Sequence, residues 1–354
     1  MPPDEERRLV WADELLERGD PRGELITTQC ALERGDLPRE DSLRLRRREA
    51  ELLAQVDAVG GLEGLAKAWT WTRGAIEEIT TDPAQFERHR AEIFERAPFV
   101  HRLRLPNLRS GSSKQWDAIF ADGRIDGLSV GAGADLALLA ELEEGQHLAQ
   151  IRALNLFNIA LDAAIRDERL QNLEELSLNT AWDRPSHEPT RLHPRRLHIR
   201  TMVRQRVGFD LDSVAHPDFF SRLEELDLEW YAGRDTALRG GPERMQKLRR
   251  LRLPMGIASA PLDVIENPER LVSLEELSIS FVGNEEEVDL GSLVATDLFP
   301  KLRVLRIGPG LATAGTLSRL LRAPLGRRLE VLDLRQNRWH IPDAGEGWDG
   351  VVLT

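Results

Sequence analysis

Cysteine is almost absent from this chain of 354 residues, which contains only Cys30. A single cysteine excludes an intrachain disulfide and any zinc site built from cysteines. The eight histidines form no HExxH pattern, so we expect no metal site. Neither a Walker loop nor a dinucleotide-binding glycine pattern is present. The sequence therefore predicts no catalytic residues and no cofactor.

Long apolar runs are also missing, and none approaches the roughly 18 residues that a membrane-spanning helix needs. The first residues, MPPDEERR, lack the apolar segment of a signal peptide. We therefore expect a soluble, cytoplasmic protein. Acidic residues outnumber basic ones, 60 against 48, which gives a net charge of −12. This balance argues against nucleic acid or an anionic membrane as the partner.

A leucine hexamer of the form LxxLxL recurs along the chain. It reads LEELSL at Leu173–Leu178 and LEELDL at Leu223–Leu228. Ten copies follow one another at intervals of 21 to 29 residues, which is the range of leucine-rich repeats. Their fourth positions are Leu103, Leu128, Leu154, Leu176, Leu197, Leu226, Leu251, Leu277, Leu305 and Leu332. We predict one short strand per hexamer, with leucines inward and alternate residues outward.

Stretches of helical length separate several of these strands, at 134–143, 161–170 and 317–322. Strand and helix at this period predict an α/β leucine-rich-repeat solenoid, a curved horseshoe with a parallel sheet on the concave side and helices on the convex side. Residues 180–195 contain three prolines, so we expect an irregular segment there. The predicted domains are a helical cap at 1–64 and an array of about ten to eleven repeats at 65–354.

Three helices are predicted before residue 60. The first carries an apolar stripe and ends at a glycine, the second spans 22–34 between an aspartate N-cap and a glycine C-cap, and the third spans about 41–59. The stripe of the first helix is Leu9, Val10, Asp13 and Leu16, and the predicted caps are Gly19, Asp20, Gly35 and Asp41.

The segment Leu9–Gln29, LVWADELLERGDPRGELITTQ, resembles the repeat-companion domain that precedes the repeats of bacterial leucine-rich-repeat proteins. The family pattern is close to LVYADWLEERGDPRGEFIRLQ, and this chain departs from it at Trp11 and Glu14. The resemblance implies an all-helical N-terminal cap on a repeat array, and it implies no activity.

Residues 69–98 also resemble the stretch that precedes the repeats in such proteins. We expect the first strand at Ala75–Thr80, after a turn at Arg73 and Gly74. A helix capped by Asp82 should follow, with phenylalanine and isoleucine on one side.

The charges of successive hexamers alternate in sign. Glu174 and Glu175 are followed one repeat later by Arg195 and Arg196, and the alternation continues to Glu330. Neighbouring strands lie about 4.8 Å apart, so equivalent residues should stack as a ladder of acids and bases across the concave face. The ladder either neutralises itself and fixes the register of the repeats, or it forms a footprint for a partner.

A broad, charged and curved surface suits a protein partner better than a small ligand. Aromatic residues just after the strands either line a rim beside this surface or fill the core. The predicted partner-binding residues are Arg102, Arg104, Trp182, Arg196, Arg200, Glu225, Asp227, Glu229, Trp230, Tyr231, Arg250, Arg252 and Trp339.

The sequence thus predicts a non-catalytic module that binds another protein, as the recognition, adaptor or regulatory subunit of a bacterial complex. An alternative is a substrate or inhibitor of a partner enzyme, such as a protease target. A weaker alternative is a ubiquitin-ligase-like effector that depends on Cys30, although this cysteine reads as a small buried hydrophobic residue.

Overall fold

The structure is a computed structural model. It describes residues 3–35, 37–56, 61–108, 113–131, 136–157, 164, 166–180, 192–201, 209–210, 217–230, 238–239, 245–256, 265, 268–282, 290, 293, 298–308, 314–335 and 348–353. The chain divides into two compact units, and each is described by itself. The first consists of residues 1–132 and 144–150, and the second of residues 133–143 and 151–354.

Three helices open the first unit: α1 (Pro3–Glu17), α2 (Pro21–Arg34) and α3 (Arg39–Val56). The side chain of Asp20 accepts a hydrogen bond from the Arg22 N–H and caps α2, whose other end is Gly35 in the left-handed conformation. Both caps of α2 confirm the prediction. The third helix begins at Arg39, so Asp41 lies in its first turn and is not its N-cap.

The predicted apolar stripe of α1 is wrong at Val10, Asp13 and Leu16, and Leu9 alone of its residues packs against the buried cluster that contains Ala12 and Leu15. Val10 and Leu16 are exposed, at 57% and 46%, whereas Arg8, Ala12 and Leu15 form the buried face. Arg8 is completely buried because its Nη2 donates to Glu77 Oε1 at 2.5 Å and its guanidinium lies over the Phe99 ring. Because the charged residue Arg8 lies on the core-facing side of α1, the pattern of apolar residues alone places the buried face about one position away from where it lies.

A hairpin follows the helices and joins β1 (Ala68–Thr72) to β2 (Ala75–Thr80) in antiparallel pairing. The turn lies at Arg73 and Gly74, as predicted, and both residues have positive φ, at 49° and 67°. Two successive positive φ values are those of a type I′ turn, which matches the twist of paired strands. The strand β1 was not predicted, so Ala75–Thr80 is the second strand and not the first.

The rest of the first unit alternates helices and strands: α4 (Pro83–Arg96), β3 (Arg102–Leu105), α5 (Ser113–Phe120) and β4 (Gly127–Val130). Asp82 caps α4 by accepting from the Gln85 N–H at 2.9 Å, as predicted. Strands β2, β3 and β4 pair in parallel and in chain order.

Parallel strands in chain order form the sheet of the second unit. They are β5 (Ala153–Phe157), β6 (Glu175–Thr180), β7 (Arg196–Thr201), β9 (Glu225–Trp230), β11 (Arg250–Gly256), β12 (Glu276–Val282), β13 (Val304–Ile307), β14 (Val331–Asp333) and β15 (Val351–Leu353). Two short strands, β8 (Phe209–Asp210) and β10 (Leu238–Arg239), pair with each other. All ten hexamers thus contain strands, and β15 is a further one.

The fourth-position leucines of all ten hexamers are at most 3% exposed, as predicted. The described helices between strands include α6 (Leu136–Glu144), α7 (Ala314–Arg322) and α8 (Pro324–Arg328). Elsewhere the described connections contain single 3₁₀ turns, at Leu148–Gln150, Glu168–Leu170, Pro217–Phe220 and Pro268–Arg270. The predicted irregular segment falls largely on 181–191, outside the described residues.

Strands that repeat at nearly constant intervals and pair in chain order are typical of a repeat protein with a solenoid-like arrangement. The boundary between cap and array at residues 64 and 65 stays a prediction. Within the described part of the chain, no helix is both long and apolar enough to cross a bilayer.

Candidate functional site

Alternating charges stand one position before the strands of the second unit. We call these residues the outer ladder: Arg152, Glu174, Arg195, Glu224, Arg249, Glu275, Arg303 and Glu330. Each N–H donates to the carbonyl of the preceding member, at 2.7 to 2.9 Å, so the eight residues stand in register. Side-chain ion pairs join Arg195 to Glu224 at 2.9 Å and Arg249 to Glu275 at 2.7 Å.

A second row of alternating charge lies at the first residue of five neighbouring strands. We call it the inner ladder: Glu175, Arg196, Glu225, Arg250 and Glu276. Its ion-pair distances are 3.2, 3.4, 2.8 and 3.9 Å in chain order. These pairs confirm the predicted stacking of acids on bases. Because the side chains are partly exposed, each pair stabilises the fold by about 0–1 kcal/mol.

A groove of about 510 Å³ lies on the same face of the sheet. Residues of strands β9, β11, β12, β13 and β14 line it, and its apolar lining residues are Leu226, Leu251 and Ile307. Its eight charged lining residues are Glu225, Asp227, Glu276, Asp333, Arg250, Arg252, Arg306 and Arg335. Four carboxylates and four guanidiniums make the groove electrically neutral as a whole.

Three of the four arginines in the groove are held by hydrogen-bonded carboxylates. Arg250 donates to Glu225 at 2.8 Å, and Arg335 donates to Asp333 at 2.8 and 3.0 Å. Arg306 donates to Glu276 at 2.6 Å and to Asp333 at 2.7 Å. Burial opposes the charge of Arg306, but these two carboxylates prevail and raise its pKa. The three guanidiniums are therefore fixed in position.

Asp227 and Arg252 stand opposite each other on β9 and β11, but they do not share a hydrogen bond. Their closest atoms, Arg252 Nη1 and Asp227 Oδ2, are 3.7 Å apart. Among the described residues, Arg252 forms no other ion pair. The Oδ1 atom of Asp227 is buried and has no hydrogen-bond partner there. Burial raises the pKa of Asp227, and the charges of His198 and Arg252 offset this effect only in part.

His198 stands on the other side of Asp227, on β7. Its Nδ1 lies 3.9 Å from Asp227 Oδ2, and its Nε2 lies 3.8 Å from Glu229 Oε2. Neither distance is a hydrogen bond, and the buried Nε2 has no partner among the described residues. Polar atoms without partners therefore concentrate at one place on the face, around Asp227.

The other predicted partner-binding residues fall into three groups. Arg196 and Arg200 lie on β7, where Arg200 pairs with Glu229 of β9 at 3.2 Å. Arg102 and Arg104 lie on β3 of the first unit, where Arg104 pairs with Glu78 at 3.2 Å. Trp230 ends β9, whereas Trp182, Tyr231 and Trp339 lie outside the described residues.

Arg306 and Asp333 stand opposite each other on β13 and β14 and line the groove, but neither is among the predicted partner-binding residues. Both occupy the fifth position of a hexamer, which should point outward as it does at Asp227 and Arg252, so the sequence contains the signal that would identify them.

Two potential nucleophiles, Cys30 and Ser129, lie buried. Cys30 is 3% exposed in a cluster with Ala12, Leu15 and Ile26, and burial raises the pKa of its thiol. Gly127–Gly131 reads GLSVG, a GxSxG spacing that was overlooked in the sequence, but Ser129 lies buried inside β4 and not at a strand-to-helix turn. No group of three or more His, Cys, Asp or Glu in the described ranges could hold a metal ion.

No family model matches the chain, and no curated protein matches its sequence. Among solved structures, the crystal structure of a protein from Bacteroides fragilis is similar at 14% identity, covering 83% of this chain and 69% of the other. Its TM-score is 0.25, at which the likeness supports no inference about this chain.

Proposed function

We propose that the chain is a leucine-rich-repeat protein whose charged sheet face binds another protein. The N-terminal helices, by their resemblance to the repeat-companion domain, would form a cap on the array. The sheet of the second unit would curve as a horseshoe, with the charged residues on its concave side. In this proposal the protein has no catalytic activity and serves as a recognition, adaptor or regulatory subunit.

The observation that carries the proposal is a wide sheet face on which charged side chains are paired in register across successive strands. The two ladders place arginines and glutamates in register over successive strands, and the groove opens among them. Side chains that are already ordered lose little conformational freedom when a partner binds. Arginine is also among the residues that contribute most to binding at protein interfaces.

Affinity capture from a lysate of the source organism, followed by mass spectrometry, tests this proposal. The wild-type chain is compared with a variant carrying Arg196→Glu and Arg252→Glu on the charged face. A matched control carries Arg44→Glu on α3, where Arg44 makes an exposed ion pair with Asp41. We expect a stoichiometric partner that the control retains and the double variant loses.

A partner that all three proteins retain would place the interface elsewhere and contradict the proposal. The same holds if no protein is captured in stoichiometric amount. Circular dichroism of the double variant must match the wild type, so that loss of the partner reports on the surface and not on the fold.

A further inference from the structure

Asp227 and Arg252 are the two charged residues in the described lining of the groove that take part in no hydrogen-bonded ion pair. Each of the other six charged lining residues takes part in at least one hydrogen-bonded ion pair of 2.6 to 3.0 Å. Arg252 and Asp227 share only a contact of 3.7 Å, and Asp227 Oδ1 accepts nothing. Oδ1 is enclosed, but Oδ2 lies 3.7 Å from Arg252 Nη1 and 3.9 Å from His198 Nδ1 and accepts no hydrogen bond among the described residues, so this oxygen is suited to receive a donor from a ligand.

Space is available beside this pair. In register with Arg252 on the next strand stands Ser278, and Gly308 lines the groove after β13. A side chain at Gly308 would meet Ser280, since an added Cβ would lie 2.9 Å from Ser280 Oγ. The small side chain of Ser278 therefore leaves space beside Arg252, and the groove, at about 510 Å³, is large enough for a few residues of an extended chain.

The charges around the pair disfavour a charged occupant. A carboxylate would accept from Arg252, but it would approach Asp227 and Glu225. An ammonium or guanidinium would donate to Asp227, but it would approach Arg252 and Arg250. A primary carboxamide suits both sides, because its oxygen accepts from a guanidinium and its NH₂ group donates to a carboxylate. It also carries no charge to desolvate in a groove whose own charges cancel.

We infer that the groove binds an extended segment of a partner protein and that an asparagine or glutamine side chain of this segment bridges Arg252 and Asp227. The carboxamide oxygen accepts a hydrogen bond from Arg252, and its NH₂ group donates to Asp227 Oδ2, the carboxylate oxygen that faces Arg252. This inference rests on the proposed function, and it identifies the position on the charged face that recognises a side chain of the partner.

Blocked tripeptides are the probes that test the inference. Acetyl-Ala-X-Ala-amide, with Gln, Glu, Lys or Met at X, is titrated into the ¹⁵N-labelled full chain, and the arginine Nε–Hε NMR signals are followed. The signal of Arg252 is assigned by its loss in the Arg252→Met variant. We expect the Gln peptide to shift this signal saturably and to bind at least about tenfold more tightly than the other three.

Two variants locate the effect. Arg252→Met should weaken binding of the Gln peptide at least about tenfold, because it removes the donor. Arg249→Met is the matched control, since Arg249 belongs to the outer ladder and is similarly exposed. We expect it to change the affinity by less than about twofold. The backbone amides are common to all four peptides, so they do not account for a preference for Gln.

Three results would overturn the inference. Equal affinity for the Gln and Glu peptides would show that the site reads an oxygen acceptor and not a carboxamide. Equal affinity for all four peptides, or no saturable shift, would show that Arg252 and Asp227 do not recognise a side chain and are hydrated instead. Retention of a captured partner by the Arg252→Met variant, where Arg196→Glu with Arg252→Glu loses it, would reject the inference and keep the proposed function. Specific binding of the Gln peptide, if no partner is captured, would support the carboxamide site and reject the proposed function.

Discussion

At the scale of single residues, Asp227 is a carboxylate whose burial opposes its own charge. His198 and Arg252 on the two neighbouring strands favour its ionisation, whereas Glu225 and Glu229 on its own strand disfavour it. The pKa of Asp227 is raised in the folded state, so ionisation at neutral pH weakens folding. Functional positions often carry such a local loss of stability, because the group is arranged for a ligand and not for the fold.

We therefore expect Asp227→Asn to increase the free energy of unfolding at pH 7, by an amount on the order of 1 kcal/mol. The increase should shrink as the pH falls through the raised pKa of the folded state towards the unfolded value of about 3.9, where both states are protonated. Urea unfolding between pH 4 and pH 7 measures it.

Asp167→Asn is the control of opposite sign. A hydrogen bond from the Arg169 side chain lowers the pKa of Asp167, so its carboxylate stabilises the fold above the unfolded pKa, and this stabilisation is lost as the pH falls through the folded pKa. Its replacement should reduce stability at pH 7. An Asp227→Asn variant that is also less stable at pH 7 would show that the ion pairs of Asp227 outweigh its burial.

Arg8 is the second residue with a marked energetic role. Its buried guanidinium, held by Glu77 at 2.5 Å, joins α1 to β2. Removing one partner of a buried ion pair leaves the other charge uncompensated, so Arg8→Ala should cost about 3–5 kcal/mol in the free energy of unfolding. Arg34→Ala is the matched control, because Arg34 pairs with Glu5 of the same helix at a more exposed position and should cost about 0–1 kcal/mol. Equal losses in urea unfolding would contradict this account.

At the scale of elements, strands β7, β9 and β11 alternate buried leucine or isoleucine residues with polar or charged residues on the face that carries the ladders. Leu226 of β9 is 1% exposed, whereas its neighbour Glu225 belongs to the inner ladder. We expect Leu226→Ala to reduce the free energy of unfolding by about 2–5 kcal/mol, because it leaves a cavity between repeats. Glu225→Ala in the same strand should cost about 0–1 kcal/mol. Chemical denaturation compares the two, and a loss below about 1 kcal/mol for Leu226→Ala would contradict the strand's assignment to the core.

The ten hexamer strands were predictable because period-2 alternation, repeated ten times, leaves one register in which every leucine is buried. The caps of α2 and α4 were predictable because Asp-Pro at a helix start is a local signal. The core-facing side of α1 was not, since Arg8 is buried only through a partner 69 positions away, Glu77. The open pair in the groove was not predictable either. Sequence places Asp227 opposite Arg252, but only the packing of side chains decides whether they hydrogen-bond.

At the scale of the whole molecule, charge of both signs is present in large amounts and much of the basic charge is already paired. With a net charge of −12 and ladder arginines that face carboxylates, the chain should not retard a random-sequence DNA duplex at about 100 µM protein in physiological salt. A gel-shift assay measures this. Retardation at low micromolar concentration that disappears as salt is raised would contradict the assignment of the charged face to a protein partner.

The outer ladder also constrains how such an array can change length during evolution. Its signs alternate over eight successive positions, from Arg152 to Glu330, each hydrogen-bonded through the backbone to the preceding one. Loss or duplication of a single repeat would place two guanidiniums or two carboxylates on neighbouring strands, which is unfavourable. Loss or duplication of two repeats would keep the alternation intact. Homologous arrays should therefore differ from this one by even numbers of repeats within this region.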